Sequence, residues 1–273
     1  MSDRIVMYSF TGITIGEARF PDISPFNVKL QAYLEASQAD YTVVTLASKE
    51  TTPNPPKGKF PFVKLPNGDL LPDSQIIIER LEQGKDAKDQ LDGWLSQEQL
   101  AISNIIRGAL DEKLYFILMY TRYVEEPIVH KLINKIMELV LPWVPECCNF
   151  ILRSVGKYYR SWFVRSCLKG QGIARHSPLE VRKMGVELLK SVEELMSSEG
   201  PFFHGAKLSL VDLVIYAYGN TCKLHLAAAE LTPDSVEAFY ETSQKLRKHY
   251  QHMDALLTSK LLSKVQTSLE IVR

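Results

Sequence analysis

The sequence predicts two unlike parts: a mixed α/β domain over residues 1–84 and an all-helical domain over residues 94–273. Three observations predict this. Strand and helix signals alternate through the first 84 residues in the order β-α-β-loop-β-β-α. A charged, polar stretch, Gly84 to Gly93, then interrupts the chain. Beyond it, strand signals give way to long helical patterns.

Arg4–Phe10 is rich in β-branched and aromatic residues and predicts the first strand. Thr11–Ile23, with Gly12 and Gly16, reads as a long loop. Ser24-Pro25 opens a helix, because Ser suits the N-cap and Pro suits the first helical position. Phe26, Leu30, Tyr33 and Leu34 fall on one face of it. Tyr41–Leu46 predicts a second strand, and Lys49–Lys59 a proline-rich connection. Residues 59–79 predict two short strands joined at Pro66-Asn67-Gly68-Asp69, then a helix beginning at Asp73-Ser74. This order is that of a thioredoxin-type domain, with helices packed on a small mixed sheet.

Past the linker, Ser96–Val124, Pro127–Leu141 and Cys147–Lys169 carry helical patterns. The last includes the basic-aromatic run from Lys157 to Trp162. Ser177-Pro178 with Glu180 is a capping box that opens a helix to Met196. Ser209-Leu210-Val211-Asp212 is a second capping box, with Leu208 and Leu213 as its staple; it opens Leu208–Leu226. Thr232–Leu257 predicts the final helix.

Composition narrows the function. The 32 basic and 32 acidic residues balance, which argues against a nucleic-acid partner. The cysteines are Cys147, Cys148, Cys167 and Cys222; their spacing fits neither a disulfide framework nor a metal site, so no metal is expected. That usage expects a reducing compartment, the cytoplasm. The N-terminus has the pattern of a strand, not of a secretory signal. Ile136–Leu152 is the most apolar later stretch, but Pro142, Pro145, Glu138 and Glu146 interrupt it. It is also shorter than the ~20 apolar residues of a spanning helix, so a buried or membrane-surface helix pair is expected.

Four places carry candidate chemistry. A cis bond at Phe60-Pro61 would turn the backbone of Phe60 toward a ligand; a trans proline would simply start a strand. Asp73-Ser74, at a helix N-terminus, either caps the helix or holds a ligand's carboxylate and ammonium. Ser24 either caps its helix or orients a bound thiolate at the positive end of the dipole, with Tyr8 as a weaker alternative. Ser24 and Asn27 bracket a four-residue motif with no cysteine at either end, so dithiol redox chemistry has no place there. Cys147-Cys148 reads as packing, the Ser209–Asp212 box as a folding signal, and His176 as structural.

Lys59–Glu79 resembles the N-terminal domain of cytosolic glutathione transferases, and Ser209–Asp212 resembles the capping box of their helical domain. Within that superfamily, residues 24–30, 112–123 and 170–177 look closest to the metaxin-like branch that includes the failed-axon-connections proteins. The resemblance implies glutathione as cosubstrate. Phe60 would pair through its backbone with the cysteinyl part, beside a cis Pro61. Asp73 and Ser74 would hold the γ-glutamyl end, Lys57 or Lys59 the glycyl carboxylate, and Ser24 would fill the catalytic slot. Asn27 stands where members of the branch often carry Cys. A hydrophobic electrophile is expected between the domains, near Tyr115, Tyr120 and Tyr123, and a homodimer is expected by analogy. Metaxins are non-enzymatic components on the mitochondrial surface. The resemblance therefore also supports a non-catalytic scaffold that binds a protein or membrane through Ile136–Lys169.

Overall fold

The computed structural model describes residues 4–46, 52–124, 132 and 162–270, with side chains described to Val265. Within them the mixed sheet runs in the order β4-β1-β5-β6. Strand β1 (Ile5–Ser9) lies parallel to β4 (Tyr41–Thr45), with Met7 opposite Val43. On its other side β1 is antiparallel to β5 (Phe62–Lys64), which is antiparallel to β6 (Leu70–Pro72). The turn at Pro66–Asp69 closes as expected, with Leu65 N–H to Asp69 O at 2.9 Å and Gly68 N–H to Leu65 O at 2.9 Å.

The expected loop at Thr11–Ile23 is instead half ordered. β2 (Ile13–Ile15) and β3 (Ala18–Phe20) form a separate hairpin, with Gly16 at φ +59° in its turn. Three-residue strands are too short for an alternation pattern to stand out. Their stability comes from packing: Ile13 and Phe20 are buried in one cluster with Tyr123, Leu224 and Ala228 from the helical part.

Helix α1 (Pro25–Ala36) buries nearly all of its length, and Val28, Leu30, Tyr33 and Leu34 have no exposed surface. Such a helix is enclosed by its neighbours rather than lying on a surface. The sheet supplies Met7, Val43 and Val63 to the same core; α2 (Ser74–Gln83) supplies Ile77 and Ile78; the helical part supplies Leu213, Val214 and Leu261. One continuous core thus runs through both parts.

The linker Gly84–Gly93 is tied down. It holds a short 3-10 turn, Ala87–Asp89, and Leu91 N–H donates to Glu82 Oε2 at 2.7 Å. A Cβ on Gly93 would lie 1.8 Å from Ala87 O, so no side chain fits there unless that backbone moves.

The expected single helix from Ser96 is three pieces in line: α3 (Gln97–Ala109), a π turn (Leu110–Leu114) and α4 (Tyr115–Val124). A helical stretch covers 162–171. Helix α5 (Pro178–Leu195) begins at the Ser177–Glu180 capping box, and α6 (Leu210–Ala228) at the Ser209–Asp212 box. The expected final helix divides into α7 (Val236–Thr242) and α8 (Gln244–Glu270). Ser243 causes the break: its backbone is extended, and its Oγ accepts Leu246 N–H at 3.2 Å while donating to Glu193 Oε1 at 2.6 Å. The expected helix Pro127–Leu141, most of Cys147–Lys169 and the pair Cys147-Cys148 lie outside the described residues. Among the described residues, no helix is long and apolar enough to cross a membrane.

Candidate functional site

The Phe60-Pro61 peptide bond is cis. Neither the N–H nor the C=O of Phe60 has a backbone partner among the described residues. Its ring packs against Phe10, with centroids 5.1 Å apart, and against Phe62 at 5.5 Å. The carbonyl of Pro61 accepts the N–H of Asp73 at 3.3 Å, which joins the start of β5 to the start of α2.

Asp73 is the N-cap of α2, but its backbone is unusual for a cap, at φ 74° and ψ 120°. A non-glycine residue in such a region costs of order 1–3 kcal/mol and persists only where its surroundings impose it. Its Oδ1 accepts Gln75 N–H at 3.0 Å, and its Oδ2 lies 3.9 Å from Lys57 Nζ. That pair is about half exposed and contributes little to stability. Ser74 begins the helix with 3% of its surface exposed. Lys59 is exposed, with no ion-pair partner among the described residues.

Ser24 occupies the N-cap position of α1, yet its side chain makes no capping bond. The backbone N–H of Ser24 donates to Asp22 Oδ1 at 2.8 Å, and the hydroxyl of Ser9 donates to Asp22 Oδ2 at 2.7 Å. The buried carboxylate of Asp22 therefore ties the end of β1 to the start of α1. Asn27 is fully buried beside Asp22, and among the described residues neither its Nδ2 nor its Oδ1 reaches a partner at hydrogen-bond geometry. Ser24 and Phe60 are linked through the end of β1: Phe60 packs on Phe10, and Ser9 next to Phe10 bonds Asp22.

Burial pushes the Asp22 carboxyl up to about 6, while hydrogen bonds from Ser9, Ser24 and Phe10 and the nearby Asn27 amide hold it down. The sign follows from linkage. The folded value exceeds the unfolded one, so folding is penalised when Asp22 is ionised. The penalty is full above about pH 6 and fades as pH falls toward 4. Over two units it amounts to about 3 kcal/mol. Urea unfolding of Asp22→Asn across that window is expected to lack this component of the wild-type slope. Parallel pH profiles for the two proteins would refute it.

A second polar link crosses between the α/β part and the helices. Lys29, one turn into α1 and 1% exposed, places Nζ 2.6 Å from Asp111 Oδ2 in the π turn. Tyr218 on α6 donates to Asp111 Oδ1 at 3.1 Å; burial first, and then Asp111, push that phenol well above its usual range. Alongside, Phe26 meets Tyr115 with ring centroids 4.8 Å apart. Of the tyrosines expected near an electrophile, Tyr115 packs against Phe26 at the start of α1. Tyr120 and Tyr123 are core residues, 5% and 1% exposed. Tyr8 stacks on Phe62 at 4.5 Å, in keeping with a packing use. His176 is exposed beyond the 3-10 turn Ile173–Arg175.

Asp22, Lys29 and Asp111 were not candidates from sequence. Asp22 carried one weak signal: an acid two residues before a Ser-Pro helix start. Lys29 and Asp111 carried none, because their meeting spans 82 residues of chain.

Residues 25–128 match the family model of the glutathione S-transferase N-terminal domain. The isoprene-epoxide–glutathione S-transferase of Rhodococcus sp. (strain AD45) is 32% identical over 96 residues, which are 35% of this chain and 40% of that relative's length. The glutathione transferase URE2P8 from Phanerochaete chrysosporium, solved with oxidized glutathione, superposes with a TM-score of 0.55 at 9% identity, over 99% of this chain and 98% of its own. A glutathione transferase homolog from Sulfitobacter with bound glutathione gives 0.54 at 13% identity, over 96% and 98%. Beta-etherase LigF from Sphingobium sp. strain SYK-6 gives 0.53 at 16% identity, over 98% and 99%. At such identities these structures speak to fold alone. The chain thus has the glutathione transferase fold, and its residues 25–128 match the N-terminal domain of that family.

Proposed function

We propose that this protein binds glutathione across its α/β part and conjugates it to a small hydrophobic electrophile. The observation that carries the reading is the junction at Pro61, Asp73 and Ser74. There the Pro61 carbonyl and Asp73 amide bond to one another, and Asp73 keeps a backbone that an ordinary cap does not need. The Asp73 carboxylate suits the ammonium of a γ-glutamyl group. Its carboxylate suits the Ser74 hydroxyl and the amides at the start of α2. The backbone of Phe60, without a backbone partner among the described residues, suits the cysteinyl amide, and Lys57 or Lys59 the glycyl carboxylate.

Ser24 is the proposed catalytic residue, because its hydroxyl is not occupied in capping. A hydroxyl and a helix end that favour a thiolate contribute about one to two pKa units, or roughly 1–3 kcal/mol. The thiol proton leaves to solvent; the thiolate then bonds to the electrophilic carbon as that carbon's bond to its leaving atom breaks, and the leaving atom takes the electron pair. Tyr115 and Phe26 offer an apolar wall beside α1 for that second substrate. Glutathione named with several structural neighbours and in the Rhodococcus relative supports the cosubstrate. A cytoplasmic homodimer is proposed with it. The metaxin-like, non-catalytic scaffold is the contrasting outcome.

Calorimetry with glutathione tests the reading. Wild type is expected to bind at millimolar concentration or tighter, with Asp73→Ala and Ser74→Ala each weaker by about tenfold, which is 1.4 kcal/mol. Absent binding would leave the scaffold reading. Where binding is found, Ser24→Ala is expected to lower conjugation by about ten- to a hundredfold. Unchanged conjugation would remove Ser24 from catalysis.

A further inference from the structure

We propose that Asp22 is a positioning residue of the thiol site at the start of α1: its carboxylate holds the backbone amide of Ser24, the N-cap residue, and its charge restrains the acidity of a thiol bound there. The inference rests on the glutathione reading above and adds an electrostatic control to the same site.

Asp22 is 1% exposed, and both carboxylate oxygens are engaged, one by the Ser24 amide at 2.8 Å and one by the Ser9 hydroxyl at 2.7 Å. The groups facing it are neutral on every side. β1 and the residue after it present the Ser9 hydroxyl and the Phe10 amide, α1 the Ser24 amide and Asn27, and α6 the Asn220 side chain, 3.4 Å from the Asp22 carbonyl. No cation offsets the carboxylate among these groups. Asn27 is the second observation, a fully buried amide with both polar atoms unpartnered beside the carboxylate.

Two consequences follow for Ser24. Asp22 fixes its backbone through the amide, while its hydroxyl, which makes no capping bond, is left for a ligand. A negative charge also lies 2.8 Å from the amide of the same residue, and like charge disfavours a thiolate there. With the Asp22 carboxyl pushed up to about 6, that charge is present across the range where a bound thiol titrates.

The test is a pH titration of thiolate ultraviolet absorbance in the glutathione complex of the full chain. Asp22→Asn is expected to lower the bound-thiol pKa by about one unit. Ser9→Ala removes a donor that favours the ionised carboxylate, so it is expected to shift the thiol the same way by less. If Asp22→Asn does not fold cooperatively, Ser9→Ala decides alone. A bound-thiol pKa unmoved in every folded variant, with glutathione held as tightly as by wild type, overturns the inference and leaves the glutathione reading standing. Wild type that binds no glutathione fails that reading and takes this one with it.

Discussion

Asp212→Ala is expected to destabilise the protein by about 3–5 kcal/mol. The carboxylate has no exposed surface and serves four donors. Oδ2 accepts Ser209 N–H at 2.8 Å and the Ser209 hydroxyl at 2.6 Å. Oδ1 accepts Phe203 N–H at 2.6 Å and faces His249 Nε2 at 2.9 Å. The first pair is the helix cap legible in sequence, and a lost cap alone costs roughly 1 kcal/mol. The rest of the effect comes from Phe203 and His249, each left buried with a polar group unsatisfied. Asp212→Asn keeps the shape but turns an NH2 toward donors, so it is expected to recover only part of the loss. Urea unfolding measures both; a loss near 1 kcal/mol for Asp212→Ala would mean that the site is a local cap and nothing more.

Lys29→Met is expected to cost a similar 3–5 kcal/mol, for a different reason. It removes the ammonium and strands Asp111, which retains only the Tyr218 hydroxyl of its two described partners. Pairing it with Asp111→Leu removes the stranded charge and is expected to restore much of the loss, because two matched apolar groups replace a buried ion pair at little net cost. A double-mutant cycle by chemical unfolding reads the coupling. Additive effects within about 0.5 kcal/mol would deny the pair its role. The π turn matters here because the extra residue per turn changes which side chains face α1. Leu110–Leu114 carries Asp111 toward Lys29, and Tyr115 follows directly beside Phe26.

The legible parts share one property: they are local. The strand-turn-strand-helix of 59–83, the Ser-Pro start of α1 and the boxes at Ser177 and Ser209 each depend on residues within a few positions, so propensity and capping rules reach them. The missed parts depend on packing. The hairpin at Ile13–Phe20 is held by helices roughly one to two hundred residues later, and the break at Ser243 needs Glu193 from α5. A continuous helical pattern over Ser96–Val124 gives no hint of the π turn within it.

At the candidate site the division is the same. Sequence proposed Ser24, Phe60, Pro61, Asp73 and Ser74 because each occupies a recognisable place at a strand or helix start, and Lys59 because of the family resemblance. By itself the sequence determined an α/β part followed by helices, where the main helices begin, and which residues merit attention. Only the tertiary structure decided that Ser24 leaves its hydroxyl uncapped, that Asp73 holds a left-handed φ, and that Asp22 and Asn27 share a buried polar cluster. The reason is physical. Local signals are set by hydrogen bonds within a turn or two. Charge burial and unmet partners arise only when β1, α1 and α6 close on one another, and no short stretch of sequence contains that enclosure.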